Sequence, residues 1–390
     1  MFVSRLILSH FRNIACLDIG FDTPVTVFSG RNAQGKTNLL EAVYFAALGR
    51  SHRTASDIDL IAWDSGEAAA EIRFSRGGLQ QSLVYRFAKN FSSAPAGSGA
   101  GTPAVAKQFF HNGFAVRPRE AIGLLAVVLF SPEDLYLIKG PPEARRRMLD
   151  TEISLVSPVY YSQLATYLRI LQQRNRLLKQ IREGQARLTV LDAWDQQLAV
   201  AAAPLLERRA AAVKKLSMLA NLCHRRLTAG AESLGLTYFQ ANLLQSAAPG
   251  PAALPFLSDA PAIQARLAKN RAEDIRRGST GFGPHRDDII IELNGYNLRS
   301  FGSQGQQRTA VLALKLAELE FVKSEIGEYP VLLLDDVLSE LDGFRREQLS
   351  LFIRDRIQTF VTTTDPADFS GLSGSCRVFR VSGGAVCEGG

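Results

Sequence analysis

The sequence lacks the features that mark secreted, zinc-stapled or membrane-spanning proteins. Its 390 residues include four cysteines, and no two of them form a CxxC pair, which argues against a zinc site or a disulfide framework. No apolar run reaches the roughly 18 residues that a bilayer-spanning helix requires. Met1 to Phe11 alternate apolar and polar side chains as a strand does, and contain no apolar signal core. We therefore expect a cytoplasmic protein without a membrane partner.

The middle of the chain lacks sustained heptads, although its periodicity predicts helices from about Pro142 to Asp274. A long coiled coil is therefore not expected. Two segments, Ser92–Pro103 and Ser246–Pro255, have nothing to bury and are predicted to be loops.

The composition is that of a globular protein, with 46% hydrophobic and 21% charged residues, and the net charge is +7. Such an excess favours a polyanionic partner, although a solvated basic face would give the same total. Arg145–Arg147 and the predicted helices supply many of the cations: Arg169, Arg174, Arg176, Lys179, Arg182, Arg208, Arg209, Lys214, Lys215, Arg225 and Arg226.

The order of predicted elements indicates an α/β fold. Strands are predicted at Val25–Phe28, Ala69–Phe74, Leu79–Phe87, Gln108–Phe110, Leu124–Phe130, Ile289–Leu293, Val331–Leu334, Thr359–Thr363 and Arg377–Val381. Helices are predicted at Thr37–Leu48, Gln304–Ile326 and Phe344–Ile353, and Asn294-Gly295 predicts a hairpin turn. We expect a split head of residues 1–130 and 278–390, built on a mainly parallel sheet, with an inserted helical lobe of residues 131–277.

One segment matches the phosphate-binding pattern G-x-x-x-x-G-K-[ST] without a gap, between a predicted strand and a predicted helix. It consists of Gly30, Arg31, Asn32, Ala33, Gln34, Gly35, Lys36 and Thr37. Such a loop turns backbone N–H groups towards a phosphate at a helix start. Lys36 would reach the terminal phosphates of ATP, and the Thr37 hydroxyl would bind Mg²⁺. A chance glycine-rich turn is the alternative.

A second apolar strand, Val331–Leu334, ends in the paired carboxylates Asp335 and Asp336, as a Walker B strand does. Asp335 would hold Mg²⁺, and Asp336 would be the base that polarises the attacking water. Many ATP-binding cassettes have glutamate at the second position. The shorter aspartate predicts slow hydrolysis. Alternatively, the two acids cap the following turn.

A polar segment before this strand, Ser303 to Arg308, resembles the signature motif of ATP-binding cassettes, which contacts ATP bound to another subunit. Ser303 is a good N-cap, Gly305 leaves the helix start open to a phosphate, and Gln306 follows. Ser339–Asp342 corresponds to a D-loop and Thr362–Asp365 to the switch position, which has no histidine here. No glutamine stands at the expected Q-loop position near Phe130–Glu133.

These motifs, with Leu8–Asn13 in the first strand, resemble the heads of chromosome-maintenance ATPases. Further strings resemble the RecF family specifically: Gly49–Thr54, Phe130–Leu135, Gly283–Asp288, Ser303–Thr309 and Asp335-Asp336. The resemblance implies an ATP-dependent homodimer with weak ATPase activity that binds double-stranded and gapped DNA. It also implies work with RecR and RecO in loading the recombinase, in repair, replication and the SOS response to DNA damage.

Several residues keep two interpretations. Arg50 and Arg53 could contact nucleotide or DNA, or be plain surface residues. His285 could be catalytic, but its charged and proline-containing surroundings favour the ordering of a turn. By analogy with the family, Arg12 and Asn13 would approach the nucleotide base.

Two other functions share the nucleotide motifs. A transporter ATPase would couple to membrane subunits, but the basic helical region and the RecF-like strings count against it. A scaffold that binds ATP without turnover is disfavoured by the intact Lys36, Thr37 and Asp335.

Overall fold

A computed structural model describes residues 1–90, 104–241, 256–354, 356–364 and 376–389. The loops predicted at Ser92–Pro103 and Ser246–Pro255 lie outside these residues. Asp365, the last residue of the predicted switch segment, also lies outside them. The chain divides into two compact units: a head unit of residues 1–134 and 318–390, and a helical unit of residues 135–317. In the described residues, no helix combines the length and the apolar character needed to cross a membrane.

The strands are β1 Phe2–Phe11, β2 Ile14–Gly20, β3 Val25–Ser29, β4 Glu67–Arg76, β5 Leu79–Asn90, β6 Ala104–His111, β7 Phe114–Val116, β8 Val127–Phe130, β9 Leu234–Phe239, β10 Asp288–Leu293, β11 Tyr296–Asn297, β12 Val331–Asp335, β13 Thr359–Thr363, β14 Cys376–Ser382 and β15 Ala385–Glu388. The helices are α1 Lys36–Leu48, α2 Pro118–Ala121, α3 Tyr136–Lys139, α4 Pro142–Val156, α5 Pro158–Arg182, α6 Leu191–Leu227, α7 Ala260–Arg277, α8 Leu298–Phe301, α9 Gln304–Ile326 and α10 Gly343–Ile353.

A mainly parallel sheet forms the core of the head unit, with strand order β15-β14-β3-β13-β12-β8. Every residue of β3, β8, β12 and β13 is buried. Burial on both faces explains why these strands read as continuous apolar runs. Since β3, β12 and β13 run parallel, their carboxyl ends meet at one edge of the sheet, where the phosphate loop, Asp335 and Thr363 follow.

An antiparallel sheet, β2-β1-β4-β5-β6-β7, completes the sheets described in the head unit. The predicted strand at Met1–Phe11 is confirmed as β1, and the three others in this region are confirmed with longer bounds as β4, β5 and β6, but β2 and β7 were not predicted. Strand β2 follows a two-residue turn in which Phe11 pairs with Ile14 and Arg12 takes a left-handed φ of 57°. The turn is Arg12-Asn13, and its left-handed residue is the arginine and not the asparagine. The pair therefore lacks the Asn-Gly or Asp-Gly pattern that marks such a hairpin in a sequence.

The helical unit contains α4 to α7 and a three-stranded sheet of order β11-β10-β9. The prediction of helices throughout 142–274 is wrong at β9, which pairs with β10 along its whole length. This strand carries its buried leucines, Leu234 and Leu236, two residues apart, and it is too short to stand out between long helices. Asn294 and Gly295, with φ of 52° and 82°, form the predicted hairpin turn.

The second boundary between the units falls between Ala317 and Glu318, inside α9, whereas the sequence places it between residues 277 and 278. Strand pairing accounts for the difference. The hairpin β10–β11 joins β9, which follows α6, so residues 288–297 belong with the helices.

Candidate nucleotide-binding site

The phosphate loop needs its glycines for close approach to neighbouring backbone and side chains. A Cβ on Gly30 would lie 2.3 Å from the carbonyl oxygen of Val381, and one on Gly35 would lie 2.7 Å from Asn13 Oδ1. Gly35 also has a φ of 109°, which L side chains rarely adopt. Ala33 is left-handed as well, with a φ of 63°, a strain of the kind that functional sites hold.

Lys36 begins α1 and is 4% exposed. Its Nζ donates to the carbonyl oxygens of Gly30, at 2.8 Å, and Arg31, at 3.1 Å. The helix start has Gly35 as its N-cap and no side-chain cap. Its backbone N–H groups and the ammonium group therefore share one concave surface, which suits a phosphate.

Thr37 and Asp335 come together across 298 positions of sequence, with Thr37 Oγ1 donating to Asp335 Oδ1 at 3.0 Å. Thr362, at the end of β13, donates to the same oxygen at 2.7 Å. Burial raises the pKa of the Asp335 carboxyl. The two hydroxyls lower it, and the charges of Asp336 and Glu133 raise it again. A cation bound here would relieve this unfavourable concentration of negative charge.

Asp336 is half-buried and has a left-handed φ of 51°. Its backbone N–H donates to Thr362 Oγ1 at 2.9 Å, and its carbonyl oxygen accepts from Ser339 Oγ at 2.9 Å. These contacts fix the main chain and leave the carboxylate at the same edge of the sheet as Lys36. The hydroxyls of Thr37 and Thr362 both bind Oδ1 of Asp335, which directs this carboxylate towards the phosphate loop and β13.

The neighbouring motifs have mixed roles. Asp342, in the predicted D-loop, caps α10 by accepting from the Arg345 N–H at 2.9 Å, and Ser339 is exposed. At the switch position, the Thr363 carbonyl oxygen accepts from Gly30 N at 3.2 Å. Near the missing Q-loop glutamine, Glu133 is close enough to affect Asp335 electrostatically. The sequence analysis named Thr362 in the switch segment and Glu133 near the Q-loop position, but it did not predict that either would act on Asp335.

A cavity of about 680 Å³ lies beside the phosphate loop. Its lining includes Arg12, Asn13, Asn38, Arg53 and Trp63, and the Trp63 side chain is 99% exposed. Asn13 Nδ2 donates to the Gln34 carbonyl oxygen at 3.2 Å, which ties the β1–β2 turn to the loop. Arg12 and Asn13 thus lie next to the loop, and their approach to the nucleotide base stays a prediction.

Arg12 and Arg53 converge on one buried acid, Glu41. Arg12 binds Glu41 with both ends of its guanidinium, at 2.9 and 2.6 Å, and Arg53 lies 3.6 Å from the same carboxylate. Burial by itself would raise the pKa of Glu41, but the hydrogen bonds from Arg12 and Ser51 and the two positive charges hold it below its usual range. Arg53 also donates to Asn38 at 2.7 Å, whereas Arg50 is exposed.

The signature segment lies in the helical unit, where Ser303 and Gln306 form a reciprocal cap. Ser303 N donates to Gln306 Oε1 at 2.9 Å, and Gln306 N donates to Ser303 Oγ at 3.2 Å. The predicted N-cap is confirmed. Ser303 and Gly305 are exposed at the start of α9, where the positive end of a 23-residue helix can meet an anion.

His285 has a structural role. Its Nδ1 lies 2.6 Å from Tyr167 Oη and its Nε2 lies 3.0 Å from the Thr280 carbonyl oxygen. Burial lowers its pKa to about 4, so the imidazole is neutral. These contacts order the turn before β10, as the surrounding sequence suggests.

Several basic residues that could have bound phosphates are instead internal. Arg145 binds both oxygens of Asp288, at 2.7 and 2.9 Å, and Arg146 donates to the Asp287 carbonyl oxygen. Arg174 is fully buried between Asp195 and Asp274, and Arg209 binds Asp150. The cations that remain exposed on α5 and α6 are Arg169, Arg176, Lys179, Arg182, Lys214, Arg225 and Arg226.

Charge is divided unequally between the two units. The helical unit holds 25 of the 45 Lys and Arg residues and 14 of the 38 Asp and Glu residues, a net charge of +11. The head unit is left with −4, since the whole chain carries +7.

A phosphate loop after β3, an acidic strand end on β12 and a signature helix start define the class of the protein: a P-loop head of the ATP-binding-cassette type. The family model described as the RecF/RecN/SMC N terminal domain matches residues 2–386. The DNA replication and repair protein RecF of Halothermothrix orenii is 42% identical over 99% of this chain and 98% of its own length. RecF of Bacillus subtilis is 40% identical over the whole of both chains. The chain belongs to the RecF family.

Solved structures agree. A structure described as the recombination mediator protein RecF with ATP in the RecFOR pathway has a TM-score of 0.85 and 31% identity, and the match covers 100% of this chain and 98% of that one. The Smc head domain of Pyrococcus furiosus, at 15% identity and a TM-score of 0.52, shares the fold.

Proposed function

We propose that this protein is an ATP-gated DNA clamp of recombinational repair, in which ATP joins two copies and the dimer grips duplex DNA near a gap. The observation that carries the proposal is the convergence of Lys36, Thr37 and Asp335 at one edge of the parallel sheet. A relative of similar length has been solved with ATP, and its description places it in the RecFOR pathway.

The residues fit MgATP. Lys36 and the backbone amides of the loop would bind the phosphates, with the ammonium exchanging its present carbonyl partners for phosphate oxygens. Thr37 Oγ1 and Asp335 Oδ1 are neighbouring oxygen donors of the kind that Mg²⁺ prefers. The described residues contain no cluster of three or more His, Cys, Asp or Glu that could hold a metal ion. The site therefore suits an ion that shares its ligands with phosphates, and the ion would neutralise their charge.

Hydrolysis would depend on Asp336 as the base that orients water. The backbone contacts of Asp336 fix its position, but its side chain is one methylene shorter than glutamate. We infer slow turnover, which suits a switch that must persist on DNA. The exposed Ser303 and Gly305, with Gln306, would complete the site on a second copy.

The helical unit is the candidate DNA surface, because it carries the net charge of +11 and the exposed cations of α5 and α6. Contacts to phosphates alone would bind double-stranded or gapped DNA without reading its sequence. By family membership, the partners would be RecR and the RecO branch of recombinase loading.

Sedimentation of the purified protein tests this proposal, with and without MgATP and with gapped duplex present. We expect a shift to dimer with ATP, strengthened by DNA. Lys36→Ala should abolish the shift, because it removes a charge-assisted phosphate contact of roughly 1.5–3 kcal/mol. Lys139→Ala, at an exposed lysine of the helical unit, is the control and should behave like wild type. A wild-type protein that stays monomeric at every ATP concentration contradicts the clamp.

A further inference from the structure

The side chain of the signature residue Gln306 is held at both ends of its amide group. Its Oε1 accepts from Ser303 N at 2.9 Å, which closes the cap of α9. Its Nε2 donates to Glu232 Oε1 at 2.8 Å. The partner Glu232 lies 74 positions earlier in the sequence, in the turn between α6 and β9. The orientation of the signature therefore depends on an acid outside the motif.

Glu232 is itself fixed by a buried histidine. Its Oε2 lies 3.1 Å from His224 Nε2, and the His224 side chain is fully buried near the end of α6. Because a carboxylate accepts, Nε2 carries the hydrogen, and Nδ1 is left as a buried acceptor without a hydrogen-bond partner among the residues that the structure describes. Oε1 of Glu232 thus contacts the signature, and Oε2 contacts α6.

The end of α6 is well anchored around this contact. Thr228 donates to the His224 carbonyl oxygen from both its N–H, at 3.0 Å, and its hydroxyl, at 2.9 Å. Asn221 Oδ1 accepts from Leu234 N at 3.1 Å and so ties the helix to β9. A displacement of Glu232 is therefore coupled to the last turns of α6.

The same turns carry exposed cations. Arg225 and Arg226 follow His224 directly and are both exposed. Within the helical unit, His224 and Glu232 connect the turn of α6 that carries these cations to Gln306 at the start of α9.

We infer that Glu232 is a positioning residue for the signature, and that through His224 it couples DNA contact on α6 to the presentation of Ser303 and Gly305 to ATP on a second copy. This inference rests on the proposed function. Without Glu232, the amide of Gln306 can turn to solvent and release the cap, and the helix start loses its fixed direction. Preorganised donors bind an anion more tightly than mobile ones, because they do not have to be ordered on binding.

The test compares three variants by sedimentation with MgATP and by binding of a fluorescent ATP analogue to monomer. Glu232→Ala should leave ATP affinity of the monomer unchanged, because the phosphate loop is in the head unit. The ATP-dependent dimer should weaken about 100-fold, since a tenfold loss at each of two signatures multiplies. Glu232→Gln should restore most of the dimer, because its carbonyl oxygen still accepts from Gln306. Glu207→Ala, at an exposed acid on α6, is the matched control and should not differ from wild type.

Gapped duplex separates the coupling from simple folding effects. DNA should strengthen the dimer of wild type and of Glu207→Ala, and have little effect on Glu232→Ala, while all the variants keep the same far-UV circular dichroism. If the Glu232→Ala dimer forms and responds to DNA as wild type does, the inference is wrong and the clamp stands. If wild type itself does not dimerise with ATP, the proposed function has failed first.

Discussion

The head unit and the helical unit use buried polar groups in opposite ways. In the head unit, Lys36, Thr37 and Asp335 meet at a sheet edge, and their partners are loop carbonyl oxygens or hydroxyls that a ligand can replace. In the helical unit, Arg174 and Arg209 are buried among carboxylates from distant parts of the sequence. The first arrangement is open to exchange with a ligand, and the second is closed on itself.

This difference teaches that the residue type does not decide the role of a basic side chain. Arg174 and Arg176 are two residues apart on α5, yet one is fully buried in ion pairs and the other is exposed. The net charge of +11 in the helical unit counts both. Only the exposed residues are available to DNA, while the buried ones hold the helices together.

The largest expected effect is on stability. Arg174→Ala should lower the free energy of unfolding by about 3–5 kcal/mol, because it removes the arginine that pairs with the buried carboxylate of Asp274 and leaves Asp195 with Arg271 alone. Arg176→Ala, at the exposed neighbour, should change stability by less than about 0.5 kcal/mol. Urea denaturation followed by circular dichroism measures both. Equal stability of the two variants would remove the distinction between internal and exposed cations.

A pH effect in the helical unit should follow. The pKa of His285 is lowered to about 4 in the folded protein, so between pH 6.5 and 4 the unfolded chain binds a proton that the folded protein does not bind. Stability through this group is therefore complete above pH 6.5 and falls by roughly 3 kcal/mol as the pH drops towards 4. Asp287 opposes it: burial raises its pKa to about 6, so its contribution falls as the pH rises from about 4 to 6.

Because these contributions oppose each other, the wild type should show only a weak slope from His285 and Asp287 together. Asp287→Asn removes one of them, and its free energy of unfolding should fall more steeply than that of wild type as the pH drops from 6.5 to 4. Urea denaturation at several pH values gives the slopes. Parallel curves for the two proteins would show that the pKa of Asp287 is the same in the folded and unfolded states.

The sequence predicts the head better than the helical unit, for physical reasons. The phosphate loop and Walker B strand have local patterns, because each must fit a phosphate or a metal ion with adjacent residues. Their convergence follows from parallel pairing of β3, β13 and β12. By contrast, β9 pairs with β10, which lies 49 to 59 residues later in the sequence, and Glu232 contacts Gln306, which lies 74 residues later. Such distant pairings leave no local pattern. The contact of Thr362 with Asp335 is similar: the sequence places Thr362 at the switch position but does not show its partner 27 residues away.

A smaller effect is expected on the rate of ATP hydrolysis in the head unit. Asp336→Asn should keep ATP binding and slow hydrolysis about 100-fold, the lower end of what a general base contributes. The dimer formed with ATP should therefore last longer. Phosphate release and dimer lifetime measure the two effects, with Asp22→Asn, at an exposed aspartate of the head unit, as a control. A wild-type rate of hydrolysis in Asp336→Asn would assign the base to another residue.

The smallest effects should come from single exposed cations of the helical unit. Arg176→Gln should weaken binding to duplex DNA by less than about tenfold, and equally for unrelated sequences, because a phosphate contact carries no sequence information. The plot of log affinity against log salt should lose about one unit of slope. Arg119→Gln, at an exposed arginine of the head unit, serves as the control for loss of one charge. If both variants lose the same affinity and slope, DNA responds to total charge, and the two units do not differ as binding surfaces. A loss confined to Arg176→Gln would place DNA on the helical unit, beside the buried arginine that supports it.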